Sequence, residues 1–249
     1  VVMPALSAHS HLKSHAEDRS EGWWEEMVGP GRAFDTSHWH ILCASILGSP
    51  YGSTSPLSID PRTGAPFGPD FPPITPLDQA RAHRALLLAL GLPRVHAVVG
   101  ASLGGMQVLE FAAAFPDALD RFIALSMTAK TLPHTVALRR IGRQAILNDP
   151  EYRDGRYEPG HGPRAGLRLA REIGTILYRS RDEFNARFDR EVVGGVKPGD
   201  RTFEVESYLA GHGERFSGRF DANCYVLLSK CMDLTDVGRG FPSLEDGLR

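Results

Sequence analysis

Cysteine is scarce in this sequence. Only Cys43, Cys224 and Cys231 occur, an odd count with no Cys-x-x-Cys spacing. That argues against a disulfide framework or a cysteine zinc site and for a reducing compartment, with a cytoplasmic location as the expectation. Long apolar runs are missing as well: nothing approaches the ~20 residues of a membrane span, so no membrane partner is expected. Neither sign of charge dominates, since 28 Lys and Arg face 30 Asp and Glu for a formal net charge of -2. Without a long like-charge block, the chain lacks the electrostatic footprint of a nucleic-acid or membrane-surface binder. Internal repeats and low-complexity tracts are also absent. What is present is an ordinary globular composition, 249 residues with 42% hydrophobic and 23% charged. A chain of that length buries about three quarters of its unfolded surface and needs no metal or disulfide staple. It opens Val1-Val2-Met3, apolar and with neither an initiator Met nor a charged leader. Its true start is therefore expected to lie upstream.

The pattern changes near residue 130. A strand-like run, Trp39 to Ala44, leads into a Gly-, Pro- and Ser-rich stretch from Gly48 to Pro73 that reads as loop. Thr75 then caps a helix, with Pro76 at the first helical position and Asp78 three residues after the cap. Ala82, Leu86, Leu87 and Leu90 are its expected apolar face, and Gly91 and Pro93 stop it. Val95 to Val99 is short and almost unbroken in apolar character, as in a central parallel strand buried on both faces. A second helix is expected from about Gly104 to Phe115, and Phe122 to Leu125 forms another buried strand. Strand and helix alternate here, which is α/β grammar. Beyond residue 130 helical periodicity takes over, with candidates at 135–148, 164–178, 181–188, 203–216 and 223–233. An all-helical block after a strand of such a sheet reads as a lid. The expected division is a partial core over 1–130, a helical lid over 131–236, and a return toward the core over 237–249.

Chemistry concentrates in Val98-Val99-Gly100-Ala101-Ser102-Leu103-Gly104-Gly105-Met106. A Gly-x-Ser-x-Gly between a buried strand and a helix is the nucleophile-elbow pattern, in which small flanking residues let strand and helix approach and the serine stands clear of the sheet. The helix N-terminus that follows offers unpaired N–H groups and a positive dipole to an acyl oxygen gaining negative charge. The alternative is a Gly-rich turn that only packs closely, or one that cradles a phosphate. The stretch lacks the spacing and Lys of a P-loop and is one Gly short of a dinucleotide fingerprint.

Several separated segments together resemble the homoserine O-acetyltransferase family of α/β-hydrolase-fold acyltransferases, which also holds serine O-acyltransferases and a deacetylcephalosporin C acetyltransferase. They are Gly22-Trp23-Trp24, Gly29 to Thr36, Leu47 to Thr54, the elbow Gly100 to Met106, Gly142 to Ile146, Val205 to Leu209 and Phe220 to Tyr225. The resemblance spans nearly the whole chain. It implies an α/β-hydrolase fold with an inserted helical lid, its sheet incomplete at both termini. It implies Ser102 as the nucleophile that takes an acyl group from acyl-CoA and passes it to the hydroxyl of L-serine or L-homoserine. It implies the backbone N–H groups of Leu6 and Leu103 as the oxyanion hole, and Arg143 as the residue that grips the amino-acid carboxylate through its planar fork. Acyl-CoA is then a co-substrate, no cofactor stays bound, and a homodimer through the lid is expected. The products would serve cysteine or methionine biosynthesis.

Two points qualify the fit. In the family, the catalytic Asp and His follow the lid, whereas no histidine here follows His212, which falls in the helical block. The expectation is an internal fragment or truncated gene model whose own turnover is slight, because a serine without its base is a weak nucleophile. The acceptor is the second point, since serine and homoserine differ by one methylene, worth only ~1–3 kcal/mol in a pocket. The segments Leu132 to Arg139 and Glu206 to His212 lean toward the serine-using members, with homoserine next. The choice between an acetyl and a succinyl donor stays open. Outside this class stand a plain esterase using the same elbow on water, and an inactive remnant. His9, His11 and His15, and His38 with His40, form clusters without a carboxylate or Cys at ligand spacing, so no metal is expected.

Overall fold

The computed structural model describes residues 1–193 and 202–248. Two compact units emerge, one formed by Val1–Leu132 and Leu227–Arg249, the other by Pro133–Val226.

The first unit is built on a three-stranded parallel sheet of β1 (Val2–Met3), β2 (Val95–Ala101) and β3 (Leu119–Leu125), with β2 in the middle. Val2 pairs with Val99 and Met3 with Gly100, while Ala101 pairs with Leu125. Helices α1 (Pro76–Ala89) and α2 (Leu103–Ala114) pack on each other, and α2 packs on all three strands. The core between them holds Met3, Leu87, Val98, Val108 and Phe111, each 3% exposed or less. A short helix, α8 (Leu244–Gly247), belongs to the same unit.

Three expectations change here. The run Trp39 to Ala44 contributes one parallel bridge, Val2 to Cys43, rather than a strand. The strand β3 is exposed over most of its length, with Phe122 at 50% and Ile123 at 48%. The buried face of α1 is also a different one: Pro76, Gln79, Ala80, His83 and Leu87 point inward, while Ala82, Leu86 and Leu90 face out. Polar partners make the inward face affordable. The Gln79 amide donates to the Leu47 carbonyl at 2.9 Å, and the His83 ring lies 3.0 Å from the Gln79 carbonyl.

The segments before α1 are held by aromatic packing and one carboxylate. Trp23, Trp24 and Phe34 stack in succession, with centroids 4.7 and 5.3 Å apart. Glu25 accepts from Lys13, from the Ser14 backbone and hydroxyl, and from the Gly22 N–H, and these donors keep its carboxyl far below the usual carboxylate range. His9, His11 and His15 are part of this packing, with successive ring centroids 6.3 and 5.5 Å apart. Among the described residues no three His, Cys, Asp or Glu side chains are grouped so as to hold a metal ion. No helix among them is long and apolar enough to cross a membrane. The three cysteines form no disulfide.

The second unit is helical: α3 (Pro133–Leu147), α4 (Arg164–Leu177), α5 (Arg181–Phe188) and α6 (Glu204–Ser217), with α4 packed on both α3 and α6. The helix α7 (Ala222–Asp233) begins in this unit. Its start is tied to the turn at 150–155, where Arg153 and Asp154 both take left-handed φ values of 48° and 53°. The Tyr157 hydroxyl donates to Asp221 at 2.8 Å and accepts from the Asn223 N–H at 2.9 Å, and the Asn223 amide donates to the Gly155 carbonyl at 2.8 Å.

Candidate active site

Ser102 sits between the last residue of β2 and the first of α2 with φ 55° and ψ -122°, a conformation that L residues avoid. It is held there on both sides. Its N–H donates to the Leu125 carbonyl at 2.9 Å, its carbonyl accepts from the Met106 N–H at 3.0 Å, and Ser126, next to Leu125, also has positive φ, at 47°. The side chain makes no capping bond to α2, and among the described residues the hydroxyl has no hydrogen-bond partner. It is half-buried.

The flanking glycines explain how so tight a bend is possible. A Cβ on Gly100 would stand 2.4 Å from the Gly104 carbonyl group, and one on Gly104 would stand 2.1 Å from the Met3 carbonyl oxygen. Backbone occupies the space where side chains would be, so β1, β2 and the start of α2 meet in contact at this point. The chain leaving β1 therefore passes directly over the elbow. Pro4 follows, and a turn closes with the Ala8 N–H on the Ala5 carbonyl at 3.0 Å, carrying Leu6 near its tip. Leu103, as the first residue of α2, has an N–H with no intrahelical acceptor.

Gln107, to which the sequence gives no role, links these two backbones. It is fully buried on α2, and its amide nitrogen lies 3.4 Å from the Pro4 carbonyl and 3.3 Å from the Leu103 carbonyl. The only signal in the sequence is an amide inside the otherwise apolar run from Met106 to Leu109.

Arg143 lies on α3 in the helical unit and is 8% exposed, so it is no solvent-facing helix charge. Tyr225, also missed from sequence, is its neighbour. Burial pushes the Tyr225 phenol up, and the nearby Tyr178 adds to this, while Arg171, Arg143 and Arg139 pull it back. Its hydroxyl donates to the Ala170 carbonyl at 3.5 Å. Tyr208 and His212 lie on α6 with ring centroids 4.4 Å apart.

A model of the α/β-hydrolase fold matches residues 4–202. A homoserine O-acetyltransferase from Moorella thermoacetica is 45% identical over 244 residues, covering 96% of this chain and 65% of the relative. A serine O-succinyltransferase from Litchfieldella anticariensis is 43% identical over 254 residues, covering the whole of this chain and 69% of the relative. The chain belongs to the homoserine O-acetyltransferase family. The crystal structure of a homoserine O-acetyltransferase from Bacillus anthracis superposes with a TM-score of 0.88 at 29% identity, covering 99% of this chain and 69% of that one. Family members with both acceptor names thus match at nearly equal identity. The chain spans about two thirds of the length of these curated relatives.

Proposed function

We propose that this family member is an acyl-CoA-dependent O-acyltransferase working through an acyl-enzyme on Ser102. The observation that supports it most is the strained elbow: a serine at φ 55°, its hydroxyl unengaged, at the N-terminus of a buried helix. In the first half-reaction the Ser102 oxygen adds to the thioester carbonyl, and its proton goes to a general base. The tetrahedral oxyanion is met by the N–H groups of Leu103 and Leu6. The C–S bond then breaks, CoA leaves as the thiol on taking up a proton, and an ester remains on Ser102. In the second half-reaction the acceptor hydroxyl attacks that ester, the new O-acyl amino acid departs, and the Ser102 oxygen recovers its proton. No cofactor is retained. Arg143, withdrawn from solvent, is the proposed clamp on the acceptor carboxylate. L-serine is favoured slightly over L-homoserine, and the acyl group is acetyl or succinyl. Either product would enter cysteine or methionine biosynthesis.

Intact-mass spectrometry after mixing with acetyl-CoA or succinyl-CoA tests the reading. An acyl adduct on the wild-type chain that is lost in Ser102→Ala supports it; an adduct that persists in Ser102→Ala overturns it. Competition between L-serine and L-homoserine for that adduct ranks the acceptors.

Pairing of two copies through the helical unit is also proposed. A groove of about 630 Å³ between α3 and α4 is lined by Ile141, Ala145, Leu169 and Ile173, with Ile141 54% exposed. Sedimentation should show a dimer that Ile141→Asp dissociates.

A further inference from the structure

The helical unit gathers positive charge on α4, α5 and α6 for which acyl transfer at Ser102 supplies no use. Arg171 on α4 is held between two rings, its guanidinium 5.0 Å from the Phe216 centroid and 5.7 Å from that of Tyr178. Its Nε is buried without a hydrogen-bond partner. Glycine permits this packing, because a Cβ on Gly174 would come within 3.0 Å of the Tyr178 hydroxyl. Arg187 on α5 lies 4.5 Å over the ring of Tyr208, which in turn packs on His212. Arg215, one turn further along α6, folds back beside Gly211, where a Cβ would be 3.3 Å from its Nη1. Arg179, between α4 and α5, completes the group.

Carboxylates that could neutralise Arg171, Arg187 and Arg215 are committed to other arginines. Glu172 faces Arg168 at 3.5 Å, Glu214 faces Arg164 at 2.7 Å, and Glu183 pairs with Arg179. Among the described residues no carboxylate pairs with Arg171, Arg187 or Arg215. The His212 imidazole registers the excess: its pKa is lowered first by burial and then by Arg215, Arg171, Arg179 and Arg187. Like charges assembled this way repel, and a multivalent anion relieves them. Guanidinium forks match phosphate oxygens bidentately, and exposed aromatic rings beside them suit a nucleobase. Tyr178, 67% exposed, offers such a ring.

We propose that this face of α4, α5 and α6 binds a nucleotide carrying more than one phosphate, on Arg171, Arg187 and Arg215.

Calorimetric titration of the full chain with adenosine 3′,5′-bisphosphate, with the His212 ring followed by NMR, is the test. The expected result is saturable binding that raises the His212 pKa, as a bound anion offsets the surrounding cations. Unphosphorylated adenosine should not bind. The double variant Arg187→Gln, Arg215→Gln should bind about tenfold more weakly or worse, given the strength of charge-assisted contacts. Should that variant misfold, Arg215→Lys keeps the charge, loses the fork and should still weaken binding severalfold. Three results overturn the proposal: no saturable binding, binding unchanged in the variants, or equal competition by inorganic sulfate, which marks a general anion surface only. The two readings fail separately. A Ser102 adduct from acetyl-CoA without bisphosphate binding removes this site and leaves acyl transfer standing, whereas bisphosphate binding without any adduct does the reverse.

Discussion

A non-glycine residue held in a sparsely populated backbone region carries on the order of 1–3 kcal/mol of strain, tolerated only where its surroundings over-determine it. Ser102 is such a residue, fixed through Leu125 and Met106. Ser102→Gly should therefore stabilise the fold by roughly 1 kcal/mol while removing the nucleophile, a gain readable as a higher urea midpoint. Gly104→Ala should do the opposite. Its new methyl group would meet backbone at 2.1 Å, which cannot yield as a side-chain tip would. A loss of about 1–3 kcal/mol or more is expected from such overpacking, in the same denaturation experiment. Arg143→Lys keeps charge but loses the planar fork, so KM for the amino-acid acceptor should rise about tenfold while acyl-enzyme formation is untouched. The elbow was legible because its chemistry is local, carried by adjacent residues. Gln107, Tyr225 and the arginine group were not, since each acquires its meaning from partners far away in the chain.

At the scale of elements, α1 shows where local signals suffice and where they stop. Thr75 accepts from the Asp78 N–H at 3.2 Å while Asp78 accepts from the Thr75 N–H at 2.9 Å, the capping box that its sequence announces. Thr75→Ala should cost ~1 kcal/mol in thermal or chemical unfolding. Leu87 lies inward as its pattern predicts, whereas Leu86 and Leu90, which outweigh Gln79 and His83 on any hydropathy count, face out. The Leu47 carbonyl, waiting at 2.9 Å, reverses that choice. β1 escaped for another reason: two residues are too few to show a period. Burying His83 has a pH consequence. Desolvation lowers its pKa in the folded state, against hydrogen bonds to the Gln79 and Ala44 backbones. The unfolded chain then takes up the proton first as the medium acidifies. Stability is fully present above about pH 6.5, the unfolded-state value, and is lost progressively as pH falls from there through the lower folded-state pKa. Denaturant midpoints between about pH 8 and pH 5.5 should fall in the wild type and fall less steeply in His83→Gln.

At the scale of the first unit, the parallel sheet is covered unequally. Parallel strands are ordinarily buried on both faces. Here α2 packs on the strands, with Met3 and Val98 fully buried, whereas Val95, Ala97, Ile123 and Trp39 line an open groove of about 830 Å³. Exposed apolar patches of this kind promote association. Ile123→Lys should accordingly reduce both hydrophobic-dye binding and concentration-dependent scattering, leaving the melting temperature nearly unchanged. Apolar side chains on one face of a sheet draw other apolar surface onto them. Whatever comes to lie against Ile123 and Trp39 would take their rings and methyls out of water and stiffen the pleat beneath, so the rate of amide exchange along β3 reads directly whether that face is clothed.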